Sequence, residues 1–193
     1  FQQAGDKSNQ GFFINIDKTQ RQGFELKLSR EIGDLAFGTS YNLLKATFES
    51  PFVSFSPVNP KGANRQVNTG DTIPSQPKHQ VKLYGNWQVN DQVNAGSELL
   101  YASSSYYRGD EANENKPIPA YSVTNIYINY QFNDELRLSA KVDNLFNRHF
   151  KTFGTYGEAD EVLGEIYPET DFDAYFVGPS RPRSFSLTVN YQF

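Results

Sequence analysis

The ten residues from Ser184 to Phe193 alternate polar and apolar without a break. Phe185, Leu187, Val189, Tyr191 and Phe193 hold one phase; Ser184, Ser186, Thr188, Asn190 and Gln192 hold the other. Strict period two means an extended strand with one face against an apolar phase and the other against water. About ten such residues, tilted, cross the hydrocarbon layer of a bilayer. Such a strand needs neighbours, because in lipid every backbone donor and acceptor must be satisfied by the protein itself.

The same alternation recurs along the chain. Phe24, Leu26 and Leu28 interleave with Glu25, Lys27 and Ser29, and Leu35, Phe37, Thr39 and Tyr41 follow. Val81, Leu83, Gly85, Trp87 and Val89 interleave with Lys82, Tyr84, Asn86 and Gln88. Then come Val93, Ala95, Ser97, Leu99 and Tyr101, next Ile126, Ile128, Tyr130 and Phe132, and last Leu136, Leu138, Ala140 and Val142. The charges Glu25, Lys27, Lys82, Glu98, Arg137 and Lys141 fall on the polar phase. A lumen-facing position tolerates them, whereas a Lys or Arg facing lipid at the midplane costs about 2–4 kcal/mol. Aromatics make up 15% of a chain that is only 37% hydrophobic, which fits strands with a polar lumen side and aromatic belts. No apolar run is long enough for a spanning helix. The absence of cysteine gives no support to disulfides or thiolate metal sites, and a net charge of −4 gives no footprint for nucleic acid.

Connections alternate short and long. Glu31–Asp34, Asn90–Gln92 and Asn133–Glu135 are short polar turns, suited to hairpins. Longer linkers, at about 50–77, 108–118 and 151–180, are rich in Gly, Pro, Asn and acids. Short periplasmic turns and long extracellular loops are the outer-membrane barrel pattern. Trp87, Tyr130, Phe132, Tyr191 and Phe193 lie near the short-turn ends as a periplasmic girdle; Tyr41, Tyr101, Tyr121 and Phe146 lie toward the long loops. Strands are expected near 12–30, 34–49, 78–90, 92–107, 119–132, 135–150 and 181–193. The parity of Phe12, Ile14 and Ile16 matches that of Phe24, so the first is read as one long strand. Seven strands cannot close an even-numbered antiparallel barrel, and an open edge is not tolerated in lipid. Either Phe12–Asp17 is an eighth strand of a small barrel, or the chain is the C-terminal piece of a larger one.

Four stretches, in order, decide between these. Lys18-Thr19-Gln20-Arg21-Gln22-Gly23-Phe24-Glu25-Leu26, then Ser40-Tyr41-Asn42-Leu43-Leu44-Lys45-Ala46-Thr47-Phe48, resemble consecutive strands of TonB-dependent outer-membrane receptors. Ile73-Pro74-Ser75-Gln76-Pro77-Lys78-His79-Gln80 is similar to the strand entry that follows in that family. Val142-Asp143-Asn144-Leu145-Phe146-Asn147-Arg148-His149-Phe150 resembles its Asn-Leu-Phe segment, followed there too by a loop and a terminal strand. The resemblance implies an all-β transmembrane antiparallel barrel of twenty-two strands, with residues 1–193 supplying about the last seven. It implies a bacterial outer-membrane receptor, not an enzyme, importing a scarce nutrient, most often a ferric siderophore or other metal chelate. Partners would be the plug and N-terminal strands of the same receptor, the TonB complex through the plug, outer-membrane lipid, a small-molecule ligand and the barrel-assembly machinery. The assembly machinery would read the terminal strand, making Tyr191 and Phe193 an assembly signal. No cofactor and no nucleic acid enter. The alternative is a stand-alone eight-stranded barrel with an adhesion or structural role.

Candidate ligand residues are the rim aromatics Tyr106, Tyr107, Phe153, Tyr156, Tyr167 and Tyr175, with Arg108, which can stack on and hydrogen-bond a ligand. The competing reading is belt or loop packing. Seven acids, Glu158, Asp160, Glu161, Glu165, Glu169, Asp171 and Asp173, with no base among them, can attract a cation or remain hydrated. No EF-hand spacing accompanies them, so no metal ligand is assigned. Arg108-Gly109-Asp110 spells an adhesion tripeptide, a match common by chance. His79 and His149, with Asp71, Asp143 and Ser75 nearby in sequence, show no hydrolase motif and read as surface histidines. Asn144 and Asn147 are expected to satisfy backbone groups where a strand leaves the membrane.

Overall fold

A computed structural model describes residues 2–3, 11–12, 15–157 and 174–192. Ile14, Glu158, Asp160, Glu161, Glu165, Tyr167, Glu169, Asp171, Asp173 and Phe193 lie outside the described residues. The described strands are β1 (Gln2–Gln3), β2 (Gly11–Phe12), β3 (Thr19–Ile32), β4 (Leu35–Phe48), β5 (Phe52–Phe55), β6 (Asn64–Val67), β7 (His79–Gln88), β8 (Val93–Ala102), β9 (Tyr121–Gln131), β10 (Leu136–Asp143), β11 (Lys151–Tyr156), β12 (Tyr175–Pro179) and β13 (Ser184–Tyr191). Seven of them form one antiparallel sheet in the order β13-β10-β9-β8-β7-β4-β3. Its edges, β3 and β13, do not pair with each other among the described residues.

The first expected strand is divided. β3 begins at Thr19, and residues 11–12 instead pair with residues 2–3 as a separate two-stranded ribbon. The strand expected over 92–107 stops at Ala102, and the one over 135–150 stops at Asp143. The second stop has a local cause: Asn144 takes φ 51°, a left-handed conformation that Asn tolerates and that ends an extended run. Two hairpins, β5–β6 and β11–β12, lie within the long linkers, where no regular strand was expected.

The short connections follow from their residues. Gly33 supplies φ 56° at the first position of the two-residue turn between Ile32 and Leu35. The other two turns share one device. The Asn90 Oδ1 accepts from the backbone N–H groups of Gln92 and Val93, each at 2.9 Å. The Asn133 Oδ1 accepts from those of Glu135 and Leu136, at 3.1 and 2.8 Å. Each side chain thus stands in for a backbone acceptor and tightens the reversal.

Register sorts the two phases onto two faces without exception for the predicted residues. Ile32, Leu35, Trp87, Ala95, Ile128, Ala140 and Leu187 form one continuous row across the sheet. Val81, Leu83, Ile126, Tyr130, Leu136, Leu138 and Val189 share that face, and Val89 continues its parity beyond β7. Lys27, Lys82, Glu98, Arg137 and Lys141 stand on the other. The apolar face is bare: Leu187 is 72% and Phe185 74% exposed. An apolar surface of this extent is what lipid covers. The polar face is internally bonded. Lys82 pairs with Glu98, the Lys141 ammonium lies 2.7 Å from Asp143, and the Arg137 guanidinium donates to Gln131 at 2.6 Å. Tyr121 pairs with Ala102 on the polar phase, so its ring belongs to the lumen side, stacked on Phe150 at 4.2 Å. At the short-turn end, Tyr130 and Phe132 meet edge to face at 4.5 Å and the Tyr191 hydroxyl donates to Glu135 at 3.0 Å.

Candidate functional site

The three long connections leave the same end of the sheet and interlock. The segment between β8 and β9 is the hub. Toward the β5–β6 side, the Arg65 guanidinium donates to both oxygens of Glu114, at 2.5 and 2.6 Å. The Ser54 hydroxyl donates to Glu111 at 2.8 Å, and the Asn59 amide to the Gly109 carbonyl at 2.7 Å. Toward the β11–β12 side, the Arg108 N–H donates to the Gly154 carbonyl at 3.0 Å, and the Tyr156 N–H to the Arg108 carbonyl at 2.8 Å. The hub thereby adds a short parallel bridge, Arg108 to Thr155, beside the β11–β12 hairpin.

Asp110 anchors the hub and is 1% exposed. Its carboxylate accepts from the backbone N–H groups of Glu114 and Asn115, both at 3.1 Å, and from the Asn115 side chain at 2.9 Å. A buried carboxylate needs such donors to offset its lost hydration. The tripeptide Arg108-Gly109-Asp110 is therefore not displayed for adhesion, since its acid is inside and fully engaged.

The sequence-predicted aromatics converge in part. Tyr107 is buried, with ring centroids 5.3 Å from Tyr156 and 5.5 Å from Tyr175. The Lys151 ammonium lies 3.4 Å from the Tyr107 hydroxyl, 3.5 Å from that of Tyr175, and 4.6 Å over the Tyr175 ring. Burial pulls the Lys151 pKa down, but the hydrogen bonds and charges of Tyr107 and Tyr175 outweigh it, so the net direction is up and Lys151 stays cationic. Burial, then the charge of Asp110, pushes the Tyr156 phenol up to about 12, which keeps it a neutral hydrogen-bonding group. Gly154 makes the cluster possible. A Cβ there would stand 2.4 Å from the Tyr107 ring.

In front of this wall lies a cavity of about 270 Å³, lined among others by Phe55, Arg108, Glu111, Phe153, Tyr156 and Phe176. Phe153 and Phe176 are half exposed at its mouth. Of the predicted residues, Arg108, Phe153 and Tyr156 line the cavity and Tyr107 and Tyr175 back it. Tyr106 does not line this cavity; its carbonyl accepts the Ser75 N–H at 3.0 Å and ties the hub to the β4–β7 connection. Phe55, Glu111, Lys151 and Phe176 were missed, because no period or motif marks a side chain that a long-range contact brings in. The cavity offers aromatic faces, a guanidinium and a carboxylate, enough to stack a planar group and orient a charged one.

The histidines do no comparable work. The His79 Nδ1 lies 2.8 Å from the Tyr41 hydroxyl at the outer rim, and His149 is exposed. Asn144 and Asn147 do satisfy backbone groups. The Asn144 amide donates to the carbonyls of Arg148 and Arg181, at 2.8 and 2.9 Å, and its Oδ1 accepts the Arg148 N–H at 2.9 Å. The Asn147 Oδ1 accepts the Arg183 N–H at 2.9 Å. Among the described residues no group of three or more His, Cys, Asp or Glu side chains is arranged to hold a metal ion. No helix there is long and apolar enough to cross a membrane, which says nothing of crossing by strands.

Comparison with known proteins places this architecture. The family described as TonB dependent receptor-like, beta-barrel matches residues 1–145. The metal-pseudopaline receptor CntO of Pseudomonas aeruginosa is 23% identical over 97% of this chain and 23% of its own length. The ferric-pyoverdine M114 receptor PbuA of a Pseudomonas species is 25% identical over 93% of this chain and 19% of its own. Among solved structures, the siderophore receptor PiuA of Acinetobacter baumannii superposes with a TM-score of 0.68 at 21% identity, over 90% of this chain and 22% of that one. This chain thus spans about a fifth to a quarter of the relatives it matches. Relatives named as receptors, a two-faced antiparallel sheet and a family match over three quarters of the residues agree. The chain belongs to the TonB-dependent receptor β-barrel family of the bacterial outer membrane.

Proposed function

We propose that residues 1–193 form the C-terminal stretch of barrel wall in a TonB-dependent receptor that imports a metal chelate, most often a ferric siderophore. The observation that carries this reading is the open sheet. Its lipid-ready face is continuous from β3 to β13, while both edge strands keep a row of backbone groups for further strands. Those strands and the plug would come from the same receptor, and the TonB complex would act through the plug. The barrel-assembly machinery would read the terminal strand, with Tyr191 and Phe193 as its signal. The relatives carry names of receptors for metal-pseudopaline, ferric pyoverdine and catecholate siderophores, which supports a chelate as cargo. In this reading Arg108, Phe153 and Tyr156 meet the ligand at the rim, Tyr107 and Tyr175 support them from behind, and Tyr106 and Tyr167 complete the predicted set.

The test uses the full-length receptor. Ferric catecholate, ferric hydroxamate and cobalamin are titrated against it, and uptake is followed in iron-depleted cells. One chelate should bind and enter. Arg108→Ala and Phe153→Ala should each weaken its binding about tenfold, the cost of one lost contact of about 1.4 kcal/mol, with heat-modifiable mobility unchanged. Absence of binding and uptake across the panel would overturn the proposal.

A further inference from the structure

The seven strands are joined in two ways. Three neighbouring pairs, β3–β4, β7–β8 and β9–β10, share a short turn, and a turn of fixed length sets which residues stand opposite. The other three, β4–β7, β8–β9 and β10–β13, are joined through residues 49–78, 103–120 and 144–183, long enough to leave register open. The alternation of polar and apolar residues does not close it. A slip by one residue would turn every side chain to the wrong face, but a slip by two returns each to its own. Register in these pairs needs a feature that singles out one residue.

Two of the pairs carry such a feature, and it is the same one. In β4–β7 Gly38 stands opposite Tyr84, and in β8–β9 Gly96 stands opposite Tyr127, both on the polar face. The end of each phenol ring fills the space that a side chain on the glycine would take. A Cβ added to Gly38 would lie 2.6 Å from the Tyr84 hydroxyl oxygen and 2.7 Å from its Cζ, and one added to Gly96 would strike the same two atoms of Tyr127. A slip by two residues would set Ala36 or Ser40 against Tyr84, and Asn94 or Glu98 against Tyr127, each with a side chain where the ring now lies. The other glycines of the sheet differ. Among the described residues, Gly85, opposite Phe37 on the apolar face, has nothing within 4 Å of its Cβ position, and Gly23, in a short-turn pair, meets no ring. The third long-connection pair has no glycine in either strand. There the Asn144 amide donates to the Arg181 carbonyl at 2.9 Å and the Asn147 Oδ1 accepts the Arg183 N–H at 2.9 Å, so the incoming chain is held just before β13 begins.

We propose that Tyr84 on Gly38 and Tyr127 on Gly96 are register locks for two of the long-connection pairs, as Asn144 and Asn147 are for the third. A ring laid over a cross-strand glycine pins register because only one alignment leaves room for it. Both tyrosines are positioning residues. Neither lines the rim cavity, yet a two-residue slip would move a strand about 7 Å along its neighbour and carry apart the connections that enclose that cavity. The locks rest on strand pairing alone and do not depend on what the receptor imports.

The experiment refolds the full-length receptor from urea into phosphatidylcholine vesicles and oxidises introduced cysteine pairs with copper phenanthroline; residues 1–193 contain no cysteine of their own. Thr39→Cys/Leu83→Cys marks the native register of β4–β7, Thr39→Cys/Val81→Cys the register slipped by two, and Leu26→Cys/Thr39→Cys the same slip in the short-turn pair β3–β4. Cysteines directly opposite each other are close enough to join, whereas those two residues out of register are not. With Tyr84→Ala the slipped β4–β7 link should rise about fivefold over wild type, the effect of one lost cross-strand contact, while the slipped β3–β4 link stays at its wild-type level. Tyr84→Phe, which keeps the ring, should behave as wild type. A Tyr84→Ala receptor that is less stable but forms the native link alone would reduce the ring to packing and overturn the lock. Equal slippage in β3–β4 would show general loosening and overturn it as well. If Tyr84→Ala loses heat-modifiable mobility, Tyr127→Ala carries the test in β8–β9, with Leu99→Cys/Thr124→Cys as the native pair and Leu99→Cys/Ile126→Cys as the slipped one, and the same outcomes decide.

Discussion

The side-chain amide of Asn144 donates to the main-chain carbonyl of Arg181, 2.9 Å away and 37 residues further along the chain. Asn144 is buried and also holds both backbone groups of Arg148, while its own N–H donates to the Asn125 side chain at 3.0 Å. One residue therefore ends β10, shapes the following turn and aims the chain into β13. Asn144→Val removes these bonds and forces a β-branched residue into a left-handed backbone. It should destabilise the fold by about 2–4 kcal/mol, combining lost buried hydrogen bonds with backbone strain. Asn144→Gly keeps the backbone conformation and should lose only the hydrogen-bond part. Urea titration of the full-length receptor, read by heat-modifiable mobility, orders wild type, Gly and Val; equal midpoints for Gly and Val would remove the backbone contribution.

The two faces of β9 make a sharper comparison. Ile128 faces lipid in the row of Trp87 and Leu187, whereas its neighbour Asn129 faces the polar side and bonds Asn94 at 3.3 Å. Ile128→Lys should cost about 2–4 kcal/mol of barrel stability, while Asn129→Lys should cost under about 1 kcal/mol. Folded fraction against urea in vesicles measures both. Equal costs would mean that the faces had been assigned wrongly.

The link between the β5–β6 hairpin and the hub is pH dependent. The hydrogen bond from Arg65 is the largest effect on the Glu114 carboxyl; desolvation opposes it, the charges of Arg65 and Lys61 add to it, and the net direction is below the ordinary value. A depressed carboxyl contributes stability that is present above its unfolded value near 4.5 and is lost as pH falls through the folded value. The hairpin should stay docked at neutral pH and loosen as the carboxyl takes up its proton in acid, more readily in high salt, because the pair is exposed. Protease nicking of residues 56–63 across that pH range reads the opening. Glu114→Gln should be equally open at every pH; an unchanged pH profile in that variant would exclude the pair as its cause.

Gly154 offers a test of the ligand wall that spares the membrane sheet. Gly154→Ala drives a methyl group into the Tyr107 ring and must displace it from Tyr156 and Tyr175. Chelate binding should weaken about tenfold with normal heat-modifiable mobility, since overpacking of about 1–3 kcal/mol falls on the loop lobe. Full binding in this variant would show that the cluster does not shape the site.

Period two in the sequence was enough to assign the faces of Val81, Leu83, Ile126, Ile128, Leu187 and Val189, because a side chain's face in a strand depends only on parity. The turns at Asn90 and Asn133 were legible for a similar reason: their hydrogen bonds close within three residues. The loop lobe was not. Asp110 is buried by backbone donors four and five residues on, Glu114 meets Arg65 across 49 residues, and Tyr107 meets Tyr175 across the β11–β12 hairpin. Contacts of that range leave no periodic trace, so the rim aromatics could be nominated from sequence but not sorted into wall, mouth and support. Local stereochemistry set which side of the sheet each residue faces; only the tertiary packing of three distant loops decided which of them surround one cavity.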